Sequence, residues 1–152
     1  MGSVAERLRE LGITLPPRQS YGKYAGAARA GNLVFVSGAG PIGADGAVTG
    51  KVGGGVDIGV AQEAARLCVI NCLSALQEEI GDLERISRIV KLLGFVNSAP
   101  GFNQQHVVMD GASSLLLDLF GERGRHARSS VGVAELPMNI AVEVEMIVEA
   151  AP

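Results

Sequence analysis

An arginine and two glutamates near the C-terminal end are the residues of this chain best suited to binding a carboxylate and to acid–base chemistry. Arg128 opens one run of alternating residues, and Glu143 and Glu145 stand two residues apart in a second run. A guanidinium offers a planar fork for a carboxylate, and a glutamate can position water or carry protons. The pattern favours Arg128 as the anchor of a ligand carboxylate and Glu143 as the acid–base group. If the strand register differs by two residues, Glu145 takes the acid–base role.

The elements that would position these residues are two predicted strands, at residues 129–134 and 140–148. The intervening turn contains Pro137, which cannot continue a strand, so the two strands are expected to form a β-hairpin. Alternation places Glu143 and Glu145 on one face and the apolar residues on the other. On spacing alone, the commoner interpretation is a half-exposed strand whose charges meet water. The apolar set, expected to cover the sheet face opposite the helices, is Ile140, Val142, Val144 and Met146.

Two other patterns with chemical potential have ordinary explanations. Residues 38–43 spell GxGxxG after a strand, but Pro41 and a following turn leave no helix to receive a pyrophosphate, so no dinucleotide site is expected. Cys68 and Cys72 lie one turn apart on a predicted helix, which is too far for a disulfide and lacks a nearby histidine for a metal. They are expected to be buried and reduced.

The remaining chain alternates strands and helices. Predicted strands at 24–30 and 33–37 are joined by Gly31-Asn32, which suits a tight turn. A helix is predicted at 58–80, with Asp57 as its N-cap and Gly81 as its end. A central strand (86–96), a second helix (102–120) and the C-terminal strand pair follow, which is an α+β arrangement of two helices over one mixed sheet.

Several of these segments resemble one known family. The run from Ala127 to Pro137, with the glutamates of residues 142–145, is similar to the C-terminal signature of the reactive-intermediate deaminase (RidA, or YjgF/L-PSP) family. Tyr24 and residues 31–38 are similar to the family's first hairpin. The resemblance covers residues 24–149, so residues 1–23, with a short helix at 4–11, are interpreted as an N-terminal extension and residues 24–152 as a single domain.

The resemblance implies a chorismate-mutase-like fold, a homotrimeric barrel with pockets between subunits, and hydrolysis of enamines and imines such as 2-aminoacrylate to 2-keto acids and ammonia without metal or cofactor. His106 stands where the family commonly has Asn, and Ser130 where several deaminases have Cys. His126, two residues before Arg128, is expected to be an ordinary hydrogen-bonding residue. The residues implied to act on or bind the substrate are Tyr24, Ser37, Gly38, His106, Arg128, Ser130 and Glu143.

Composition narrows the classes of partner. The 152-residue chain carries a net charge of −3 with six Tyr and Phe residues and no Trp, which argues against a basic, stacking surface for nucleic acid. No apolar run is long enough to span a membrane and no secretory leader is evident, so a cytoplasmic protein is expected. Three functions remain open: an enamine/imine deaminase, which includes a pathway-specific one acting on 2-aminomuconate; a non-catalytic binder of keto or amino acids; and, least favoured, a ribonuclease.

Overall fold

Two long helices cover one face of a five-stranded mixed sheet in the computed structural model, which describes residues 2–152. The order across the sheet is β1-β2-β7-β5-β6, and β3 pairs only with β4 in a small separate hairpin. The α+β class and the mixed sheet predicted from the sequence are thus confirmed. The strands, numbered along the chain, are β1 (Ala27–Ala30), β2 (Leu33–Ala39), β3 (Ile42–Gly43), β4 (Gly46–Ala47), β5 (Ile86–Asn97), β6 (Ala127–Val133) and β7 (Val142–Ala150).

The helices are α1 (Val4–Glu10), α2 (Ile58–Ile80) and α3 (Gln105–Phe120). Helix α2 begins and ends where the sequence predicts, because the Asp57 side chain accepts a hydrogen bond from the Val60 amide and Gly81 adopts φ 82° at the other end. Helix α3 begins three residues later than predicted, after a turn in which the Phe102 amide donates to the Ala99 carbonyl. Among residues 2–152, no helix has the length and apolar character needed to cross a membrane.

Small residues let α2 lie close against the sheet. The Cys68 thiol donates to the Val142 carbonyl and the Cys72 thiol to the Val144 carbonyl, so the helix is tied directly to β7. Both cysteines are fully buried and free, as predicted. The buried small residues of this helix face are Ala61, Ala64, Ala65, Cys68, Cys72 and Ala75.

The predicted C-terminal β-hairpin is wrong. Strands β6 and β7 do not pair with each other, because β5 lies between them, parallel to β6 and antiparallel to β7. The connection instead crosses the end of β5, where Asn97 donates from its backbone to Ala141 and from its side chain to Ile140. The long apolar run of β5 makes it the central strand, and a central strand needs a partner on each side.

The two faces of the sheet differ in what covers them. Val142, Val144 and Met146 are buried under the helices, so the expectation that they cover the opposite face is wrong. The residues between them, Glu143 and Glu145, share the helix-free face, as the alternation predicts. That face also carries apolar side chains that are half-buried or exposed, namely Phe35, Leu93, Phe95, Val131 and Ile147.

Helix α1 packs on the body of the protein. Ser3 and Glu6 form a reciprocal capping box, and Val4 and Leu8 are buried. The Arg7 side chain donates to the Asp118 carbonyl at 2.9 Å, which fixes α1 beside α3. The chain then runs extended to β1, which begins at Ala27, so Tyr24 lies outside the strand predicted for it.

The GxGxxG segment forms no dinucleotide site. It runs from the end of β2 into the β3–β4 hairpin, with no helix following the third glycine. The Asn71 side chain donates to the carbonyls of Gly40 and Ile42 at 3.0 and 2.9 Å, which fixes the segment on α2.

Candidate active site

Glu143 on β7 lies directly against the backbone of β2. A side chain at Gly38 would place its Cβ 2.9 Å from the Glu143 carboxyl carbon and from Oε2, so the glycine lets the carboxyl group come this close to the β2 backbone. Burial raises the pKa of Glu143 above its ordinary value, and the charge of Glu145 raises it further. A carboxyl group whose pKa is shifted towards neutrality is suited to giving and taking protons.

A bulge in β2 brings Ser37 and Gly38 to this point. Between the pairs Val36↔Met146 and Ala39↔Val144, β2 advances one residue more than β7, and the extra residue falls at 37–38. The Ser37 hydroxyl donates to the Ala25 carbonyl at 2.7 Å, and its amide donates to the Gly26 carbonyl at 2.9 Å. The bulge and the segment before β1 are thus held together.

A cavity of about 510 Å³ opens beside the bulge. Tyr24, Ser37 and Gly38 line it, so three of the residues predicted to bind substrate share one space. The Tyr24 side chain is exposed, and no residue fixes its hydroxyl among those that the structure describes. The far wall of the cavity consists of the segment after α1 and one face of α2.

Arg128 lies elsewhere, at the edge strand β6, and points towards α3. Its guanidinium donates to Asp110 Oδ1 at 2.9 Å, to the Ser113 hydroxyl at 3.1 Å and to the His106 carbonyl at 3.1 Å. The side chain is mostly buried, whereas that of Asp110 is largely exposed. These three contacts hold the guanidinium in a fixed orientation on the helix side of β6.

Arg128 and Glu143 do not meet within one chain. Arg128 pairs with Leu92 and Glu143 pairs with Phe95, on the two flanks of β5. Leu92 is fully buried under the helices, whereas Phe95 lies on the helix-free face, so the arginine and the glutamate project from opposite faces. The sequence-based placement of Glu143 across a hairpin from Arg128 is therefore wrong.

Ser130 and the two histidines all lie on the Arg128 side. The Ser130 hydroxyl is buried and has no hydrogen-bond partner among residues 2–152. His106 is exposed near the start of α3 and contributes its carbonyl, not its ring, to Arg128. His126 makes hydrogen bonds to Ser113 Oγ at 2.9 Å and to the Gly124 carbonyl at 2.6 Å, which fits the hydrogen-bonding part predicted for it.

Comparison with known proteins shows which family shares this fold. Residues 16–150 match the family described as Endoribonuclease L-PSP, which is the YjgF/RidA family. The chain belongs to the Endoribonuclease L-PSP family. The match confirms the family inferred from the C-terminal signature and the first strands, and several solved structures of the family share the fold.

Three relatives of this L-PSP protein resemble it along nearly its whole length. Protein TCP17 of Trypanosoma cruzi is 45% identical over 97% of this chain and 94% of its own. An Agrobacterium tumefaciens protein of unknown function is 47% identical in sequence. Its crystal structure matches with a TM-score of 0.90 and covers 97% of this chain and 94% of that one. A candidate endoribonuclease of Shewanella oneidensis is 30% identical, with a TM-score of 0.92 over 97% and 99%.

These matches bear on the predicted N-terminal extension at residues 1–23. The family match begins at residue 16, before Tyr24, and the three relatives align over 97% of this chain. An extension specific to this chain is therefore hardly supported, although the predicted helix within it is present.

The L-PSP chain thus holds the predicted site residues in two groups. Tyr24, Ser37, Gly38 and Glu143 gather around the β2 bulge, and Arg128 with Ser130 and the His106 backbone lies by α3. Sequence reasoning missed Asp110 and Ser113, the partners of Arg128. Their spacing on one face of α3 carries no signal that an arginine on a later strand would bind them.

Among residues 2–152, no group of three His, Cys, Asp or Glu side chains could hold a metal ion.

Proposed function

We propose that this L-PSP protein hydrolyses imines, and the enamines that tautomerise to them, to 2-keto acids and ammonia. The observation that carries the proposal is the Glu143 carboxyl group, which has a raised pKa and lies against the backbone of Gly38, a residue that also lines a ligand-sized cavity. The resemblance to the reactive-intermediate deaminases supplies the reaction class, because Glu143 stands at the position of the family's VE signature.

In the proposed reaction, Glu143 accepts a proton from a water molecule while the water oxygen bonds to the imine carbon. The nitrogen takes up protons, the carbon–nitrogen bond breaks, and ammonia leaves as the carbon–oxygen double bond forms. The atoms of one imine and one water thus appear in one keto acid and one ammonia. Because its pKa is raised, Glu143 binds a proton more readily than an ordinary glutamate, which suits a group that takes a proton and returns it.

Arg128 is proposed to bind the substrate carboxylate from a second copy of the chain. Because Arg128 and Glu143 project from opposite faces of one sheet, a single chain offers only half of the site. The three contacts that orient Arg128 reduce the conformational freedom lost when it binds a carboxylate. The arginine group of one subunit and the glutamate group of the next together would supply both functions.

A homotrimer is the proposed assembly. The helix-free sheet face carries exposed Phe35 and Val131 beside half-buried Leu93 and Phe95, an apolar surface that association would cover. The resemblance implies a trimeric barrel built from such faces. A cytoplasmic location is also proposed, since both cysteines are free thiols.

The word endoribonuclease in the family's description raises a second activity, but the surface does not favour it. Net charge is −3, and Glu143, Glu145 and Glu149 share the helix-free face. Backbone phosphates would be repelled there, whereas binding of nucleic acid depends on clustered cations.

The test generates 2-aminoacrylate in situ with a serine dehydratase and follows its loss with wild-type protein, with Arg128→Ala and without protein. We expect wild type to accelerate both the loss and the release of ammonia, and Arg128→Ala to match the protein-free rate. Wild type equal to the protein-free rate would contradict deamination of this substrate. If pyruvate still bound in that case, the chain would be a binder and not an enzyme.

A further inference from the structure

His126 stands at the end of a chain of hydrogen bonds that leads to Arg128. Its Nε2 lies 2.9 Å from the Ser113 hydroxyl, and Nη1 of Arg128 donates to the same hydroxyl at 3.1 Å. On its other side, Nδ1 of His126 lies 2.6 Å from the Gly124 carbonyl. The proposed reaction uses Ser113 only as one of three contacts of Arg128, and it gives His126 no part.

The direction of each hydrogen bond follows from which groups can only donate or only accept. A carbonyl oxygen only accepts, so Nδ1 of His126 carries a hydrogen and donates to Gly124. In the neutral ring Nε2 is then the acceptor, and the Ser113 hydroxyl donates its single hydrogen to it. A guanidinium only donates, so the oxygen of Ser113 accepts from Arg128. One set of directions therefore satisfies every group along the chain.

The Gly124 end of this chain of hydrogen bonds is held by close packing. Gly124 is buried, and a Cβ there would lie 2.3 Å from the Leu116 carbonyl oxygen. The segment before β6 therefore runs directly against the backbone of α3, the helix that carries Ser113. The carbonyl that selects the tautomer of His126 thus has a fixed place relative to the serine.

His126 also determines where the Ser113 hydroxyl points. A serine inside a helix can donate back to the carbonyl four residues earlier, which here belongs to Met109. Donation to His126 instead directs the hydrogen away from the helix backbone and leaves the oxygen lone pairs for Arg128. Without the imidazole the hydroxyl could rotate, and the contact with the arginine would lose its direction.

The contacts of Arg128 with the protein leave part of its guanidinium available to a ligand. Of its five N–H donors, the two on Nη1 face Asp110 and Ser113, and one on Nη2 faces the His106 carbonyl. The Nε donor and the second Nη2 donor have no partner among residues 2–152. These two donors lie on neighbouring nitrogens, an arrangement that suits the two oxygens of a carboxylate. The direction of this pair depends on what holds Nη1.

We propose that His126 is a positioning residue for the substrate carboxylate and acts on Arg128 through Ser113. The inference rests on the proposed function for one point, that Arg128 binds a carboxylate. The Gly124 carbonyl selects the tautomer of His126, and the imidazole orients the Ser113 hydroxyl. The hydroxyl in turn holds Nη1 of Arg128, so that the two remaining donors form a fork of fixed direction. His126 itself touches no substrate.

Calorimetry with pyruvate on the full chain tests the proposal through two substitutions of His126. His126→Gln places an amide oxygen near the position of Nε2 and can still accept from Ser113, whereas the shorter His126→Asn reaches only the position of Nδ1. We expect His126→Asn to raise the Kd about fivefold, as loss of one orienting hydrogen bond does, and His126→Gln to stay near the wild type. An unaltered Kd in His126→Asn, or equal weakening by both substitutions, would overturn the proposal.

Ser113→Ala and a double variant test whether the effect passes through the serine. Ser113→Ala should raise the Kd by the same factor as His126→Asn, and the two changes together should raise it no further, because both break one chain of contacts. Ser114→Ala, at the exposed neighbouring serine of α3, is the control and should keep the wild-type Kd. Additive losses in the double variant would mean that His126 acts by another route, which contradicts the proposal.

Nitrogen-15 NMR of the ring nitrogens gives a readout that does not depend on ligand binding. The chain has two histidines, so spectra of wild type and His106→Gln identify the signals of His126. Near pH 8, where an ordinary histidine is neutral, His126 should be the Nδ1–H tautomer, with Nε2 hydrogen-bonded in the wild type and released in Ser113→Ala. An Nε2–H tautomer would reverse the direction of the hydrogen bonds and overturn the proposal.

Ammonia release from 2-aminoacrylate separates this proposal from the proposed function. If wild type accelerates the release and His126→Asn binds pyruvate as the wild type does, deamination stands and the positioning role is wrong. If wild type accelerates nothing but His126→Asn still weakens pyruvate binding about fivefold, deamination is wrong and the positioning role stands. If the wild type binds no pyruvate, Arg128 holds no carboxylate and the positioning role is wrong.

Discussion

Arg128 and Glu143 project from opposite faces of the same β-sheet, with the central strand β5 between their strands. The proposed reaction depends on this relation, because the guanidinium that would anchor the substrate and the carboxyl group that would transfer protons must both reach one small molecule. One copy of the chain does not bring them together. Two copies, each contributing one of the residues, would.

Glu143→Gln should stabilise the protein at alkaline pH while removing deamination. The raised pKa of Glu143 means that the folded state binds the carboxyl proton more tightly than the unfolded state does. The protonated carboxyl therefore adds to the free energy of unfolding below the ordinary glutamate pKa. That effect is lost as the pH rises through the raised pKa, and at pH 8 wild type holds a half-buried charge that glutamine lacks. We expect a higher Tm for the variant at pH 8 and a smaller difference at pH 4.

The matched control for that comparison is Glu122→Gln, at a side chain that is 90% exposed. Its Tm should follow the wild type at both pH values, since exposed surface substitutions change stability little. A Glu143→Gln protein that is less stable than wild type at pH 8 would show that the ionised carboxylate is stabilising, against the direction of its pKa.

Asp110→Asn should tighten the binding of small carboxylates. Asp110 accepts a hydrogen bond from Arg128 at 2.9 Å, so a substrate carboxylate competes with an internal one. Neutralising the competitor should lower the Kd for pyruvate about threefold, since an ion pair whose acidic partner is largely exposed contributes up to about 1 kcal/mol. Calorimetry on the variant and wild type measures the change; an unaltered or weaker affinity would show that Asp110 does not compete and only orients the arginine.

Phe35→Lys should dissociate the proposed trimer. The Phe35 side chain is 44% exposed on the helix-free face, and a lysine there would place a charge in an apolar contact between subunits. Light scattering at micromolar concentration should give three times the 15.7 kDa chain mass for wild type and a smaller mass for the variant. Leu117→Lys, at a helix residue of 43% exposure, is the control and should retain the wild-type mass. A monomeric wild type would contradict both the trimer and a shared site.

Local signals in the sequence predicted most elements of the fold. Helix α2 was predictable to the residue because Asp57 and Gly81 mark its ends and small residues recur at helical spacing between them. The alternation of β7 likewise gave the shared face of Glu143 and Glu145. Both patterns depend only on neighbours along the chain, and periodicity reports on such neighbours directly.

Strand pairing and the side of the sheet that Arg128 faces could not be predicted in the same way. The sequence shows β6 and β7 separated by a proline turn, which is also the pattern of a hairpin, and nothing near Pro137 reveals that β5 inserts between them. The orientation of Arg128 depends on its register with Leu92, and its partners Asp110 and Ser113 lie on a helix that precedes it. Such long-range relations are properties of the tertiary fold.

The most direct test of the shared site mixes two inactive variants, Arg128→Ala and Glu143→Gln, by co-expression or by unfolding and refolding them together. Each variant alone should fail to deaminate 2-aminoacrylate. Random mixing should restore about one quarter of the wild-type sites, since an intact site needs an arginine from one subunit and a glutamate from its neighbour. Recovery of ammonia release towards that fraction is the predicted result. A mixture no more active than the separate variants, beside an active wild type, would contradict a site built from two copies.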